Sequence, residues 1–357
     1  MTAETRPTMS DVARLAQVSP MTVSRVVTGN GAVNPATRER VNKAMRQLRY
    51  TPNIAARALV SGRSGTIGVI TLDTSQYGPG AALLGIERAA RQRGYGVTIA
   101  TLPKLDRTSM TDAIDAFVQR SIDGVIAIVP HLSAADALAE TRPQLPVVAV
   151  QGTGSARIPA VTVDQRTGAF LATTHLLDLG HETVWHVAGP QDWFESRERE
   201  RGWREALASR SAPSPPLVHG DWSAASGYAA GHQMLAADRP PTAVFAGNDQ
   251  MALGILHLLY ERGLSAPADL SVVGFDDIPE SAYFSPALTT VRQDFNELGR
   301  AGMALLLDIL SAEGHFGMEV TLIEPDLMLR SSTAPPPSRH PSTHPSTHPS
   351  THPSTQG

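Results

Sequence analysis

The 357-residue chain contains no cysteine, which excludes disulfide bridges, thiolate zinc sites and cysteine nucleophiles together. It also lacks any apolar run near the ~18 residues that a membrane span requires. The opening residues, Met-Thr-Ala-Glu-Thr-Arg-Pro, have no apolar stretch behind them, so no secretory leader is read there and a soluble, cytoplasmic protein is expected. Catalytic signatures are equally scarce. No Gly-x-Ser-x-Gly elbow, Walker loop or His-Glu-x-x-His occurs. Gly78-Pro-Gly80 with Gly85 only distorts a dinucleotide fingerprint, and Pro79 removes a backbone donor that such a loop needs. No enzyme activity and no cofactor are therefore expected.

What is present is charge, unevenly placed. Met1 to Arg63 holds ten Lys/Arg against three acids, Glu4, Asp11 and Glu39, a net of +7. With the whole chain at −4, the remainder carries −11. A phosphate backbone attracts the first part and repels the second, which points to a nucleic-acid-binding head on a non-binding body. An uneven solvated surface is the plainer alternative. The length suffices for two or three domains and a sizeable core.

The head reads as three short helices. Thr8 with Asp11 forms a capping-box start, and Val12, Leu15 and Ala16 mark one apolar face. Ser19 caps a second helix with Pro20 at its first position, Val23, Val26 and Val27 supply its buried face, and Gly29 stops it. Asn34-Pro35 repeats the start for a third helix whose inward face is Val41, Ala44, Met45 and Leu48. The tight Gln17-Val18 connection makes the first two a helix-turn-helix. In that geometry the second helix enters the major groove and brings Pro20, Met21 and Arg25 to base edges, where an arginine fork matches the O6 and N7 acceptors of guanine. Thr22, Ser24, Asn34 and Thr37 suit phosphate oxygens, although capping and solvent exposure also explain Thr22 and Ser24. Thr8, Met9 and Ser19 complete the DNA-facing set of the head.

Thr51-Pro52 breaks the chain, and Asn53 can cap a short helix, Ile54 to Leu59, ended by Ser61-Gly62. Six residues are too few for a stable isolated helix. The segment reads either as a linker or as an element that folds against a partner chain or a groove, with Leu59 wedged between base steps.

From about Ser64 to Arg330 short apolar runs alternate with amphipathic stretches. Thr66–Thr71, Val97–Ala100, Gly124–Val129 and Val147–Val150 form one series; Thr183–Val187, Ala243–Ala246 and Leu270–Phe275 form another. Repeated strand-helix units predict parallel doubly wound sheets, and two series predict two lobes with a cleft between them. Ligands of such sheets bind at strand carboxyl ends, which directs attention to Trp222, Asn248 and Asp276. An aromatic face beside aspartate, asparagine and arginine suits a sugar. Taken alone, Trp222 reads first as a core residue, and a strand-end aspartate is as often a helix cap as a ligand contact.

Ser10-Asp-Val-Ala-Arg-Leu-Ala-Gln-Val-Ser-Pro-Met-Thr-Val-Ser-Arg-Val-Val27, Val33 to Tyr50 and Pro52-Asn53 to Leu59 resemble the DNA-binding head and hinge helix of the LacI/GalR family of bacterial repressors. The resemblance runs to about Arg330 and implies a periplasmic-binding-protein-like core, with Thr290 to Ile323 crossing back to the first lobe. It implies a hinge helix paired across a homodimer, with Leu59 as minor-groove wedge beside Ala56. The register Arg-x-x-Gly-Trp selects Arg199 as effector clamp. Asn248 in Asn-Asp-Gln-Met-Ala-Leu-Gly, Asp276 in Val-Gly-Phe-Asp-Asp, Trp222 in Gly-Asp-Trp-Ser-Ala and Phe295 in Arg-Gln-Asp-Phe-Asn-Glu-Leu-Gly are similar to the lactose-repressor branch, which binds galactosides. Where that branch places an aspartate after the fourth strand of the first lobe, this chain has Gln151, which keeps a hydrogen bond and loses the charge.

The expectation is a small all-α helix-turn-helix head over residues 1–51, a hinge helix and linker over 52–63, and a two-lobed core over 64–333. Lobe one takes about 64–163 and 293–322, lobe two about 164–292 and 323–330. Residues 334–357 are expected to form a disordered tail: Ala334-Pro-Pro-Pro337 precedes four His-Pro-Ser-Thr units, His340 to Thr355, whose composition cannot offset the entropy of ordering. Proline prevents a helix from aligning those histidines on a metal. The leucine heptad of the tetrameric lactose-repressor type is absent from the tail, so a dimer on pseudo-palindromic operator DNA is expected, answering to a sugar, with a nucleoside or another glycoside as alternative effector.

Overall fold

The structure is a computed structural model; it describes residues 7–28, 32–50, 63–72, 75–102, 104, 106–141, 143–152, 158–311 and 320–337. The hinge residues Asn53, Ala56 and Leu59, the helix stop Gly29 and the repeats from His340 lie outside the described residues.

The head contains α1 (Met9–Ala16), α2 (Pro20–Thr28) and α3 (Pro35–Gln47). Thr8 and Asp11 form the reciprocal capping box at the start of α1, which satisfies two backbone donors that a helix start leaves open. Gln17 turns the chain in the left-handed region at φ 54°, and the Val18 N–H closes on the Ala13 carbonyl at 3.0 Å. Asn34 Oδ1 accepts from the Ala36 N–H at 2.9 Å and starts α3. Val12, Ala13, Ala16, Val23, Val41 and Ala44 are buried, and Val26, Val27, Met45 and Leu48 pack on them. Leu15 corrects the expected apolar face: it is 43% exposed. The inward row of α1 is Val12, Ala13 and Ala16, so Leu15 sits beside Gln17, Arg40, Lys43 and Gln47 at the surface.

Past the head, tertiary contacts divide the chain into two units. The first runs to Asp164 and takes back 191–195 and 294–324. Its sheet comprises β1 (Thr66–Thr71), β2 (Gly96–Thr101), β3 (Gly124–Ile128), β4 (Val147–Val150), β5 (Ala160–Val163) and β11 (Val320–Ile323), in the order β11-β5-β4-β3-β1-β2. Every pairing in it is parallel. Its helices are α4 (Tyr77–Gln92), α5 (Arg107–Gln119), α6 (Leu132–Thr141) and α11 (Phe295–Ser311). Strands β3 and β4 are buried throughout, as continuous apolar runs in a sheet covered on both faces require.

The second unit holds 165–190, 196–293 and the chain from Pro325. Its sheet order is β12-β10-β9-β8-β6-β7, with β6 (Trp185–Ala188), β7 (Val218–His219), β8 (Ala243–Ala246), β9 (Ser271–Asp276), β10 (Thr289–Arg292) and β12 (Asp326–Met328). All pairs are parallel except the antiparallel edge β10–β12. The helices are α7 (Gln165–Asp178), α8 (Phe194–Ser209), α9 (Ala224–Leu235) and α10 (Asp249–Glu261). Trp203, Phe245 and Phe275 fill the core, with the Trp203 indole N–H donating to the Val184 carbonyl at 2.8 Å.

Three boundaries differ from expectation. Residues 191–195 belong to the first unit, not the second. The Leu132 N–H donates to the Asp192 carbonyl at 3.0 Å, the Phe194 N–H to the Pro130 carbonyl at 2.8 Å, and His131 Nδ1 lies 3.1 Å from Asp192 Oδ2. Gln293 belongs to the second unit through its bonds to Gln165 and Asp276. Ala334 to Pro337 are not a disordered tail start. Ala334 exchanges backbone bonds with Ser271 Oγ, each 3.0 Å, and its carbonyl pairs with His181 Nε2. These bonds supply an ordering force that composition alone does not reveal.

Candidate functional site

On the head, α2 presents Pro20, Met21 and Arg25 to solvent while Val23 on the opposite side is fully buried. Met21 is 64% exposed. Ser19 Oγ accepts from the Thr22 N–H at 3.1 Å and lies 2.9 Å from Thr22 Oγ1. Thr8 and Asn34 are likewise spent on caps, and Met9 packs on the head core. Ser24 and Thr37 are half-buried. The helix thus displays one apolar and cationic face, anchored by its own capping residues.

In the first unit, Gln151 follows β4 at φ 58° and is buried. Its Oε1 has no hydrogen-bond partner among the described residues, nor has Thr71 Oγ1 at the end of β1. Tyr77 and Phe295 meet edge to face with centroids 5.8 Å apart. Gly78 closes the group: a Cβ there would stand 3.2 Å from Gln151 Nε2.

In the second unit, five parallel strands deliver side chains to one carboxyl edge. Gly189 follows β6, Trp222 follows β7, Gly247 and Asn248 follow β8, Asp276 ends β9 and Gln293 follows β10. Arg199 of α8 is the one buried arginine or lysine among the described residues. Its Nε donates to Gln165 Oε1 at 2.8 Å, Nη1 to the Gly247 carbonyl, and Nη2 lies 3.5 Å from Asp276 Oδ1. Gln165 Nε2 donates to Gln293 Oε1 at 2.8 Å, and Gln293 Nε2 to Asp276 Oδ1 at 2.6 Å. Arginine, two amides and a carboxylate therefore form a closed ring. The guanidinium stacks 3.8 Å from the Phe275 centroid and 5.4 Å from the Trp222 ring, an arrangement that suits a planar cation and not an ammonium.

Trp222 is both things the sequence left open: it is buried, and it stands beside Arg199. Its left-handed φ of 74° folds the indole over Gly189, whose missing side chain makes the room. Asn248 caps α10, its Oδ1 accepting from the Met251 N–H at 2.9 Å, while Nδ2 donates to the Trp222 carbonyl at 3.0 Å. Asp276, at φ 110°, has its pKa pushed up to about 6; burial outweighs the opposing pull of Arg199 and Gln293. Asp249 is pushed well above the carboxylate range by burial and by the neighbouring Asp276 charge. It accepts the Thr290 hydroxyl at 2.5 Å and the Ile278 N–H at 2.9 Å.

Arg199, Trp222, Asn248 and Asp276 thus come together in the second unit, and Gln151 with Phe295 in the first. Gln165 and Gln293 were missed by sequence reasoning. Gln293 stands one residue before Asp294-Phe295, and Gln165 two after β5, so a strand-end reading of Ala160–Val163 and Thr289–Arg292 finds both.

Residues 8–53 match the family described as bacterial regulatory proteins, lacI family, and 173–333 match the periplasmic binding protein-like domain. The HTH-type transcriptional repressor CytR of Escherichia coli K12 is 36% identical over 334 residues, 92% of this chain and 97% of the relative. A crystal structure of the lac repressor dimer bound to operator and the anti-inducer ONPF is 33% identical with a TM-score of 0.78, covering 92% of this chain and all of that one. A complex of the transcriptional regulator CelR with cellobiose reaches 0.67 at 30% identity, over 92% and 100% of the two chains. Among the described residues no helix is long and apolar enough to cross a membrane. The chain belongs to the lacI family of bacterial regulatory proteins, as a DNA-binding transcriptional repressor with a ligand-binding type of core and not as an enzyme.

Proposed function

We infer that the protein binds a pseudo-palindromic operator as a homodimer, and that a small sugar held at the carboxyl edges of its sheets sets operator affinity. The ring around Arg199 carries the ligand half of this reading. A buried guanidinium, a carboxylate and amides beside an indole match a ligand with hydroxyls on its rim and an apolar ring face. The proposed contacts in the second unit are Arg199, Trp222, Asn248 and Asp276; in the first unit, taken by itself, they are Gln151 and Phe295. The lac repressor and CelR relatives, with ONPF and cellobiose respectively, support this class. A galactoside is the first candidate; Gln151, an amide in place of the branch's aspartate, favours testing other glycosides and nucleosides beside it.

On DNA, Arg25, Met21 and Pro20 read base edges. Thr22, Ser24, Asn34 and Thr37 set the register on phosphates, and Thr8, Met9 and Ser19 complete the DNA-facing set. Asn53, Ala56 and Leu59, which lie outside the described residues, complete the proposed set of DNA contacts. The ligand acts only through its differential affinity for the operator-bound and free states. Fluorescence anisotropy on the gene's own upstream fragment tests both halves: one sugar of a panel weakens binding by the wild type and leaves Arg199→Ala unmoved. Equal behaviour of the two proteins toward every sugar that acts would contradict the site.

A further inference from the structure

The charges at the second unit's carboxyl edge say more about the ligand. Two cations bear on that edge from inside the unit: Arg199 at the edge itself, and Arg330, which reaches in from beside Leu288 at the amino end of β10. Arg199 is answered by Asp276 inside the closed ring, and Arg330 is held by Asp277 at 2.5 Å, with further bonds to Ser281 and the Leu288 carbonyl. A third carboxyl group, Asp249, is buried with only the Thr290 hydroxyl and the Ile278 N–H as partners. Two cations thus face three carboxyl groups, and the balance is zero or negative in either protonation state of Asp249. The neighbouring helix starts do not make up the deficit. The α9 start is capped by Ser223 on the Ser226 N–H and the α10 start by Asn248 on the Met251 N–H, so each has already given up one of the donors a phosphate would use. Gln165, Gln293 and Asn248 beside them are neutral amides.

We propose that this site takes only uncharged ligands, so that the repressor senses a sugar in its free form and rejects its phosphate ester and its acid. The inference rests on the reading of Arg199 and Asp276 as ligand contacts. An anionic group would enter beside Asp276 and Asp249 with no second buried Lys or Arg among the described residues to receive it, and buried like charges oppose one another strongly. Hydroxyls exchange hydrogen bonds with the amides and the Arg–Asp pair at no such cost. The sensed molecule therefore lies before the kinase or dehydrogenase step that would charge it, and a glycoside-cleaving or uptake step supplies it.

Inorganic phosphate and acetate are the probes, titrated against the full chain at constant ionic strength with chloride as the balance, reading the thermal midpoint. The wild type shifts by less than about 1 °C. Asp276→Asn, which keeps the shape and tolerates the positive φ, uncovers Arg199 and gains a saturable phosphate shift of about 3 °C or more at tenfold excess over its dissociation constant. A saturable wild-type shift that Arg199→Gln abolishes would overturn the proposal, as would a folded Asp276→Asn that ignores phosphate. Should that variant not fold, the comparison of wild type with Arg199→Gln decides alone. Failure of the ligand-site reading shows differently: Arg199→Ala then leaves the sugar response of operator binding intact.

Discussion

Arg199 is committed to several partners that differ in direction: the Gln165 amide, the Gly247 carbonyl and the Asp276 carboxylate, with an aromatic ring on its face. A lysine keeps the charge and loses the fork. Arg199→Lys is expected to weaken the sugar response at least ~10-fold, because one directional ammonium cannot replace a bidentate geometry whose loss costs about 1–3 kcal/mol. A sugar titration of the operator complex reads this, and a response equal to the wild type would contradict it. His186 makes a separate prediction. It lies buried, stacked on Phe245 at 4.5 Å, with Nδ1 donating to the Phe245 carbonyl. Burial, more than any neighbouring charge, lowers its pKa to about 3. The unfolded chain therefore binds the extra proton first. The stabilisation from the neutral ring is complete above pH ~6.5 and is lost as pH falls toward 3. Asp276, raised to about 6, acts with the opposite sign, favouring the fold at low pH and losing that contribution as pH rises through 6. Comparing urea midpoints of wild type and His186→Phe from pH 7 to 4 isolates the histidine. The gap between them should shift in the variant's favour on acidification, and a gap constant with pH would refute the assignment.

At the scale of elements, helix packing in the first unit depends on two glycines. Where α4 crosses α11, a Cβ on Gly85 would stand 3.0 Å from the Phe295 carbonyl carbon, and one on Gly299 would stand 2.5 Å from the Ile86 nitrogen. Backbone cannot give way as a side chain can, so Gly85→Ala is expected to cost about 1–3 kcal/mol. Chemical denaturation measures it, and a neutral result would mean that the helices slide apart freely. In the head, Thr8→Ala removes one half of the capping box and should cost ~1 kcal/mol. These two sites also mark how far the sequence could be read. The head was legible almost throughout, because Thr8, Ser19-Pro20 and Asn34-Pro35 act locally and each cap falls where its helix starts. Leu15 was not, since which of two apolar neighbours turns inward depends on where α3 lies. The strand-helix cadence of the core was equally plain, but β5 is only four residues long and was passed over behind its glycine- and proline-containing loop, and Gln165 stayed hidden with it. The return of 191–195 to the first unit and the binding of Ala334 to the Ser271 hydroxyl are long-range pairings that no local pattern encodes.

For the whole molecule, the +7 head and the −11 remainder divide the labour. The head is drawn to DNA and the body is repelled, so operator affinity should fall steeply with salt while the ligand response of the free protein should not. The dimer proposed above predicts sedimentation as a stable two-chain species. A stable tetramer would contradict it. The account as a whole stands on sequence-specific DNA binding by the exposed face of α2. The measurement that reaches it most directly is competition between the gene's own upstream fragment and scrambled DNA of the same length, at one fixed salt concentration, for wild type and Arg25→Ala. The account predicts a preference of at least ~10³ for the upstream fragment and a loss of ~10-fold or more of it on removing the Arg25 fork. Equal binding of the two DNAs, or a preference that survives intact in Arg25→Ala, would contradict it.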